Sequence, residues 1–339
     1  MRAPDVTSLL REVSRSFYLT LRVLPAAVRP QIGLAYLLAR TTDTVADTAV
    51  ISLELRLQAL DQLRARILGQ SSAPLHFGPL AQTQSSPAEK TLLERVEESL
   101  RLLEGCAPAD QRRIRRVLDI IISGQALDLQ RFAAASAQNI VALPTDAELE
   151  DYTYRVAGCV GEFWSEMCLA HLFQLPAEDE AAWRENGVRF GQGLQLVNIV
   201  RDLPVDLRQG RCYLPVALAG IAPGKLLEAG FMGQFRPLYD TYLERAQGHL
   251  AAGWEYTNVL PRSQARLRLA CAWPILIGAR TLGKLRGENV LDPARRIKVS
   301  RSEIYQIMAR SALLYPADGL WRRQFDDTAK PVASHSVLR

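Results

Sequence analysis

Two stretches of this chain set aspartates four residues apart inside otherwise apolar, helix-like sequence: Asp43 and Asp47 in "YLLARTTDTVAD", and Asp202 and Asp206 in "QLVNIVRDLPVD". A buried carboxylate without a partner is costly, and several close together raise one another's pKa. A chain carrying two such pairs on inward faces folds stably only if cations occupy the space beside them. That requirement restricts the architecture more than any other feature. Counting back from each pair gives Tyr36, Arg40, Asp43, Asp47 and then Gln195, Asn198, Asp202, Asp206. Steps of three and four keep each set on one helix face, with consecutive members about 5 to 6 Å apart along the axis.

Magnesium suits such a space. It is a hard cation that binds through one or two carboxylates, waters and substrate phosphates. Two stripes facing each other across a bundle would hold a small group of ions and, through them, a diphosphate. Arg40 and Arg201 stand beside the pairs, where a guanidinium fork takes phosphate oxygens in a bidentate grip. A single Asp-x-x-x-Asp is most often a solvated helix face. Two of them, each in an apolar helix with an arginine alongside, argue against that reading. Pro204 lies between Asp202 and Asp206, removes a backbone donor and disfavours helical dihedrals at Leu203, so Asp206 is expected on a turn just past the helix end.

Apolar residues recur every three to four positions along nearly the whole chain, as in "ISLELRLQALDQLRARIL" and "ADQRRIRRVLDIIISGQALDLQRF", while strand-like alternation is almost absent. The expected fold is an all-α bundle of about ten helices, in one large domain or two ordinary ones. Residues 69–90, rich in Ser, Gln, Pro and Gly and without periodicity, read as a mobile surface connection, and residues 328–339 as a flexible tail. At 339 residues and 48% hydrophobic content the chain can bury a sizeable core. Its longest apolar run, "LACAWPILIGA", falls short of the roughly 20 residues of a membrane span. The N-terminus has charges where a signal peptide has an apolar core, so the expected compartment is the cytoplasm.

Other chemistries find little support. The four histidines and five cysteines fall in no metal-ligand or redox spacing. The cysteines read as reduced packing residues. A net charge of +5 with dispersed basic residues argues against nucleic acid as a partner. "GQGLQL" at Gly191 lacks the later glycine of a dinucleotide-binding turn and lies in helical sequence, so a Rossmann unit is excluded.

In these blocks the sequence resembles the squalene and phytoene synthase family, the head-to-head prenyl synthases. "VSRSF" (Val13 to Phe17) is similar to the family's opening motif, "YLLARTTDTVAD" to its first aspartate-rich motif, "YTYRVAGCVG" (Tyr152 to Gly161) to its central motif, and "GLQLVNIVRDLPVDLRQGRCYLP" to its second aspartate-rich motif. "CAWPILIGARTL" followed by "IKVSRSEIYQIM" resembles the C-terminal blocks of the squalene branch. Ala46 and Pro204 depart from the usual squalene pattern.

The resemblance implies a single-domain isoprenoid-synthase bundle over residues 1–327 around a central apolar cavity, which condenses two farnesyl diphosphates through presqualene diphosphate and reduces the product to squalene with NADPH; such apolar substrate and product leave room for loose, peripheral contact with a bilayer. It implies magnesium on Asp43, Asp47, Asn198, Asp202 and Asp206. Arg15, Ser16, Arg40, Gln195, Asn198 and Arg201 would meet phosphate oxygens, Phe17, Tyr36 and Tyr213 would line the substrate space, and Tyr152 would assist proton removal. Lys298 and Arg301 match a block associated with reductant or phosphate contacts. Alternatives within the family stop before reduction or join longer substrates, giving dehydrosqualene, hydroxysqualene or phytoene. Outside it stand a terpene cyclase using the same magnesium clamp and a non-catalytic helical scaffold. Chain-length preference and oligomeric state are not written in the sequence.

Overall fold

The computed structural model describes residues 9–10, 13 and 17–330, with side chains from residue 20 onward in the last stretch. Arg15 and Ser16 therefore lie outside the described residues, and Phe17 is described only as the first residue of a helix. In chain order the α-helices are α1 (Phe17–Val23), α2 (Arg29–Asp47), α3 (Leu53–Leu68), α4 (Gly78–Gln82), α5 (Pro87–Glu94), α6 (Val96–Glu104), α7 (Pro108–Arg131), α8 (Asp146–Thr153), α9 (Cys159–His171), α10 (Ala177–Arg208), α11 (Met232–Val259), α12 (Ala265–Gly287), α13 (Arg301–Leu314) and α14 (Asp318–Ala329). A π-helix, Tyr154–Gly158, joins α8 to α9. Two-residue strands β1 (Val141–Ala142) and β2 (Arg211–Cys212) pair in parallel. The fold is all-α, as the periodicity requires.

Local chemistry sets many of the boundaries. The Ser52 hydroxyl accepts from the Leu55 amide and Thr145 from the Glu148 amide, each satisfying a donor that the first helical turn leaves free. Gly69 closes α3 in the left-handed region at φ 74°. Ser300 and Glu303 form a reciprocal capping box at the start of α13.

The helices among the described residues outnumber the ten expected, and the 69–90 segment is not bare connection. It contains α4 and the start of α5, anchored by the buried Phe77 and Ala81, with Pro79 and Pro87 preset for first-turn dihedrals. Composition concealed these short helices, since neither is long enough to show a period. At the other end α14 runs through a buried Ala329, inside the stretch expected to be tail; residues 331–339 lie outside the described residues.

The chain divides into two compact units, residues 1–133 with 163–175, and residues 134–162 with 176–339. In the first, α2, α3 and α7 pack on one another through fully buried Leu38, Leu60, Leu63 and Leu118. In the second, α10, α11 and α12 form the core, with α13 and α14 against α12 and the π-helix against α10. The buried aromatic residues of this unit stack: Trp183 lies on Tyr256 at 4.4 Å between ring centroids, and the Trp183 indole donates to the Tyr256 carbonyl.

Pro204 does not end its helix. α10 continues to Arg208, which places Asp206 on the helix and not on a turn beyond it. The ring at Pro204 removes the donor that would have met the Val200 carbonyl, and Tyr239 of α11 supplies a replacement: its buried hydroxyl donates to that carbonyl at 3.0 Å. A tertiary hydrogen bond thus overrides a local breaker. No helix among the described residues is long and apolar enough to cross a membrane.

Candidate functional site

The first unit carries the first polar stripe on α2. Arg40, Asp43 and Asp47 share a face with Tyr36, which packs against the apolar cluster of Leu9, Val13, Leu37 and Leu92. The helix itself is stitched by Thr41, Thr42, Thr44 and Thr48, whose hydroxyls donate back to carbonyls three or four residues earlier, so threonines fill buried positions without orphaned groups. Asp43 accepts a short hydrogen bond from Gln125 of α7 and stands 3.8 Å from an Arg40 nitrogen. Arg40 also grips Glu89 of α5. Asp43 and Glu89 therefore share one guanidinium.

This imbalance is visible in the Asp43 carboxyl. Burial first, then repulsion from Asp47, raise it from 3.8 to about 6, against the opposing pull of Arg40 and Gln125. Its side chain nonetheless keeps 46% of its accessible surface, so the packed surroundings press on one side while the other is open to a ligand. A divalent cation between Asp43 and Asp47 would relieve both effects, and the all-oxygen donor set is what magnesium takes. Among the described residues no three Asp, Glu, His or Cys side chains gather into a closed cage. Magnesium does not need one, because waters and phosphate oxygens complete its octahedron.

The second unit carries the second stripe on α10. Gln195 is half-buried and Asn198 exposed; Asp202 and Asp206 are half-buried, four residues apart on the same helix. Arg201 binds its neighbour Asp202 with both ends of its fork, Nε to Oδ1 at 2.9 Å and Nη2 to Oδ2. Asp206 contributes its charge to the surroundings of the buried Cys212 thiol, which burial pushes up to about 12.

Tyr152 ends its run one residue before α8 gives way to the π-helix, and its ring stacks on that of Tyr213, centroids 4.8 Å apart and planes 22° apart. π-turns are rare and recur at functional sites, because the wider turn re-aims the side chains that flank it. Here the Tyr154 hydroxyl reaches across the turn to Glu162 at 3.2 Å. The small residues that follow serve close packing: a Cβ on Gly161 would lie 1.8 Å from the Gly187 carbonyl oxygen, and one on Gly191 2.1 Å from that of Ala157. Lys298 and Arg301 are both exposed, beside and at the first residue of α13, and the Lys298 carbonyl accepts from Lys284.

Two contributors escaped the sequence reading. Glu89 and Gln125 lie 49 and 82 positions from the residues they hold, and only folding brings them there. Gln125 did leave one trace: it interrupts the buried apolar stripe Ile121, Ile122, Leu129 of α7, the same signature that exposed the aspartates.

A model of one protein family, described as squalene/phytoene synthase, matches residues 10–303. A presqualene diphosphate synthase of Zymomonas mobilis is 27% identical over 302 residues, covering 88% of this chain and 89% of the relative. A bifunctional lycopene cyclase/phytoene synthase of Blakeslea trispora is 30% identical over 212 residues, 61% of this chain; the match spans only 31% of that larger protein. Among solved structures, the complex of TcSQS with the ligand E5700 superposes with a TM-score of 0.74 at 19% identity, covering 96% of each chain. That likeness speaks for the fold.

Proposed function

The chain belongs to the squalene/phytoene synthase family, and on that premise we propose that it condenses two farnesyl diphosphates head to head, through presqualene diphosphate, and reduces the product to squalene with NADPH. The observation that carries this reading is the Asp43 carboxyl, raised to about 6 by burial and by Asp47 beside it. Such a pair, kept on an apolar helix at a cost to the fold, fits a cation-assisted diphosphate site. Asp43, Asp47, Asn198, Asp202 and Asp206 would hold magnesium, which draws charge off the departing diphosphate.

The chain's own groups supply the rest. Gln125 fixes the direction of Asp43. Arg40, Arg201 and Gln195 take phosphate oxygens; each arginine already grips a carboxylate, so an arriving diphosphate competes with Glu89 and Asp202 for the fork. The stacked faces of Tyr152 and Tyr213 present electron-rich, non-nucleophilic surface to an allylic cation. Tyr152 would assist removal of the proton released as the cyclopropane ring closes. For the reductive stage NADPH would supply hydride, and Lys298 and Arg301 would contact the reductant or a phosphate.

A second reading ends the reaction at presqualene diphosphate. It is favoured by the near full-length match to the Zymomonas mobilis protein of that name. Mass spectrometry of products from farnesyl diphosphate, with and without NADPH, separates the two. Squalene that appears only with NADPH supports the first; presqualene diphosphate in both reactions supports the second. A C40 product from geranylgeranyl diphosphate with no product from farnesyl diphosphate, or a cyclic C15 product, overturns both.

A further inference from the structure

Within the first unit, at the opposite end of α2 from Asp43, a cavity of about 830 Å³ opens beside Gln31. Twelve residues separate Gln31 from Asp43, about 18 Å of helix. Leu10, Leu21, Leu34 and Leu102 line its apolar part. One polar corner remains, formed by Gln31, Asp110 and His171. The volume and the mixture of apolar wall with a few converging polar groups are those of a small-molecule site.

The corner is incompletely satisfied in one direction only. Asp110, whose side chain is 4% exposed, receives Arg113 at 2.8 Å and His171 at 2.9 Å on the same oxygen, Oδ1. Its other oxygen, Oδ2, has only a long 3.4 Å bond from the Gln31 amide nitrogen. Burial works to raise this carboxyl, but the bonds from His171, Arg113 and Gln31 prevail and hold it below the usual range, so it stays an acceptor. The Gln31 amide oxygen is buried and has no hydrogen-bond partner. Turning the amide over would place that oxygen against Asp110 Oδ2, so the carboxylate fixes the orientation. One acceptor, Gln31 Oε1, thus awaits a donor, next to an Asp110 oxygen whose one bond is long. A buried acceptor left unmet is costly, and a ligand that supplies the missing hydrogen is selected for that reason.

We propose that this cavity binds an apolar chain ending in a hydroxyl, a long-chain or isoprenoid alcohol, whose O–H donates to Gln31 Oε1 beside Asp110. A hydroxyl is favoured over an ammonium because Arg22, Arg29 and Arg113 already outnumber the single Asp110 charge around the cavity. It is favoured over a carboxylate or a phosphate because the unmet group, Gln31 Oε1, is itself an acceptor, to which those would present further acceptors. The site is independent of the aspartate stripes and of the reaction proposed for them.

The test uses photolabelling of the full chain with a diazirine-bearing C12 alcohol, alongside C12 amine, C12 carboxylate and C12 hydrocarbon probes of the same length. Label is read by peptide mass mapping. The alcohol should mark residues 21–34 or 102–110, and Leu102→Trp, at a rim residue that is 44% exposed, should abolish that label without unfolding the chain. Gln31→Met, which keeps shape and removes the acceptor, should weaken it about tenfold. Equal labelling by the hydrocarbon, or stronger labelling by the amine or the carboxylate, overturns the hydroxyl assignment. Labelling absent from both segments, or unchanged by Leu102→Trp, overturns the site.

Discussion

Asp43 on α2 and Asp202 on α10 each begin a four-residue step to a second aspartate, yet their surroundings differ. Asp43 is held by a neutral amide, Gln125, beside an arginine that it shares with Glu89. Asp202 takes a two-point grip from the arginine next to it in sequence. One spacing has therefore produced two electrostatic situations. At the first, Asp43 shares its arginine with Glu89 and is repelled by Asp47. At the second, the adjacent arginine supplies the counter-charge directly.

The largest expected effect removes either charge. Asp43→Asn and Asp202→Asn should each lower turnover on the order of 10²–10³-fold, the usual loss when one group stabilising developing charge is deleted. They should separate in metal dependence: the magnesium concentration for half-maximal rate should rise further for Asp43→Asn, since burial and Asp47 press hardest on that carboxylate and a cation relieves both. Equal shifts in steady-state titrations would break the comparison, and retention of full activity by both would reject the assignment altogether.

A second contrast concerns stability without metal. The Asp43 carboxyl is raised in the fold from 3.8 to about 6, so the stability it contributes is complete below about pH 3.8 and is lost as pH climbs through about 6. At pH 7.5 the ionised pair should weaken the fold. Metal-free Asp43→Asn should accordingly melt about 1–3 °C above the parent at pH 7.5 and level with it at pH 4. Asp202→Asn should show no such pH-dependent gain, because it strips Arg201 of its partner. Thermal melts at the two pH values decide the matter, and a gain for Asp43→Asn that is the same at both pH values counts against the repulsion.

The smallest effect distinguishes the helices themselves. α2 is regular, whereas α10 is interrupted by Pro204 and repaired by Tyr239. Tyr239→Phe should cost about 1 kcal/mol in the parent, the worth of one buried hydrogen bond. In a Pro204→Ala background the cost should shrink, because the restored amide can meet the Val200 carbonyl itself. Denaturant titrations of the four proteins give the coupling directly, and additive losses would show that the tyrosine is not the repair.

These contrasts also mark how far the residues could be read in advance. Tyr36, Arg40, Asp43 and Asp47 were legible because a three-and-four spacing is a property of the helix and needs no tertiary information. The same holds for Gln195 through Asp206, except that the proline rule placed Asp206 off the helix. That rule describes an isolated segment, and Tyr239, 35 positions beyond Pro204, supplied what the segment lacked. Glu89 and Gln125 were invisible for the same reason: their meaning lies in a contact, not in a period. The buried Phe77 and Ala81 gave order to a stretch whose composition suggested none. The Tyr152 to Tyr213 stack joins residues that motif resemblance had named separately.

At Gly161 and Gly191 two main chains approach so closely that no side chain, not even a methyl, has a place to begin. A randomised library of this protein should return those two codons essentially unchanged, whatever property is selected. Attempts to redirect the product by enlarging or shrinking residues must work around that seam, since widening it would move the backbone that carries Tyr152.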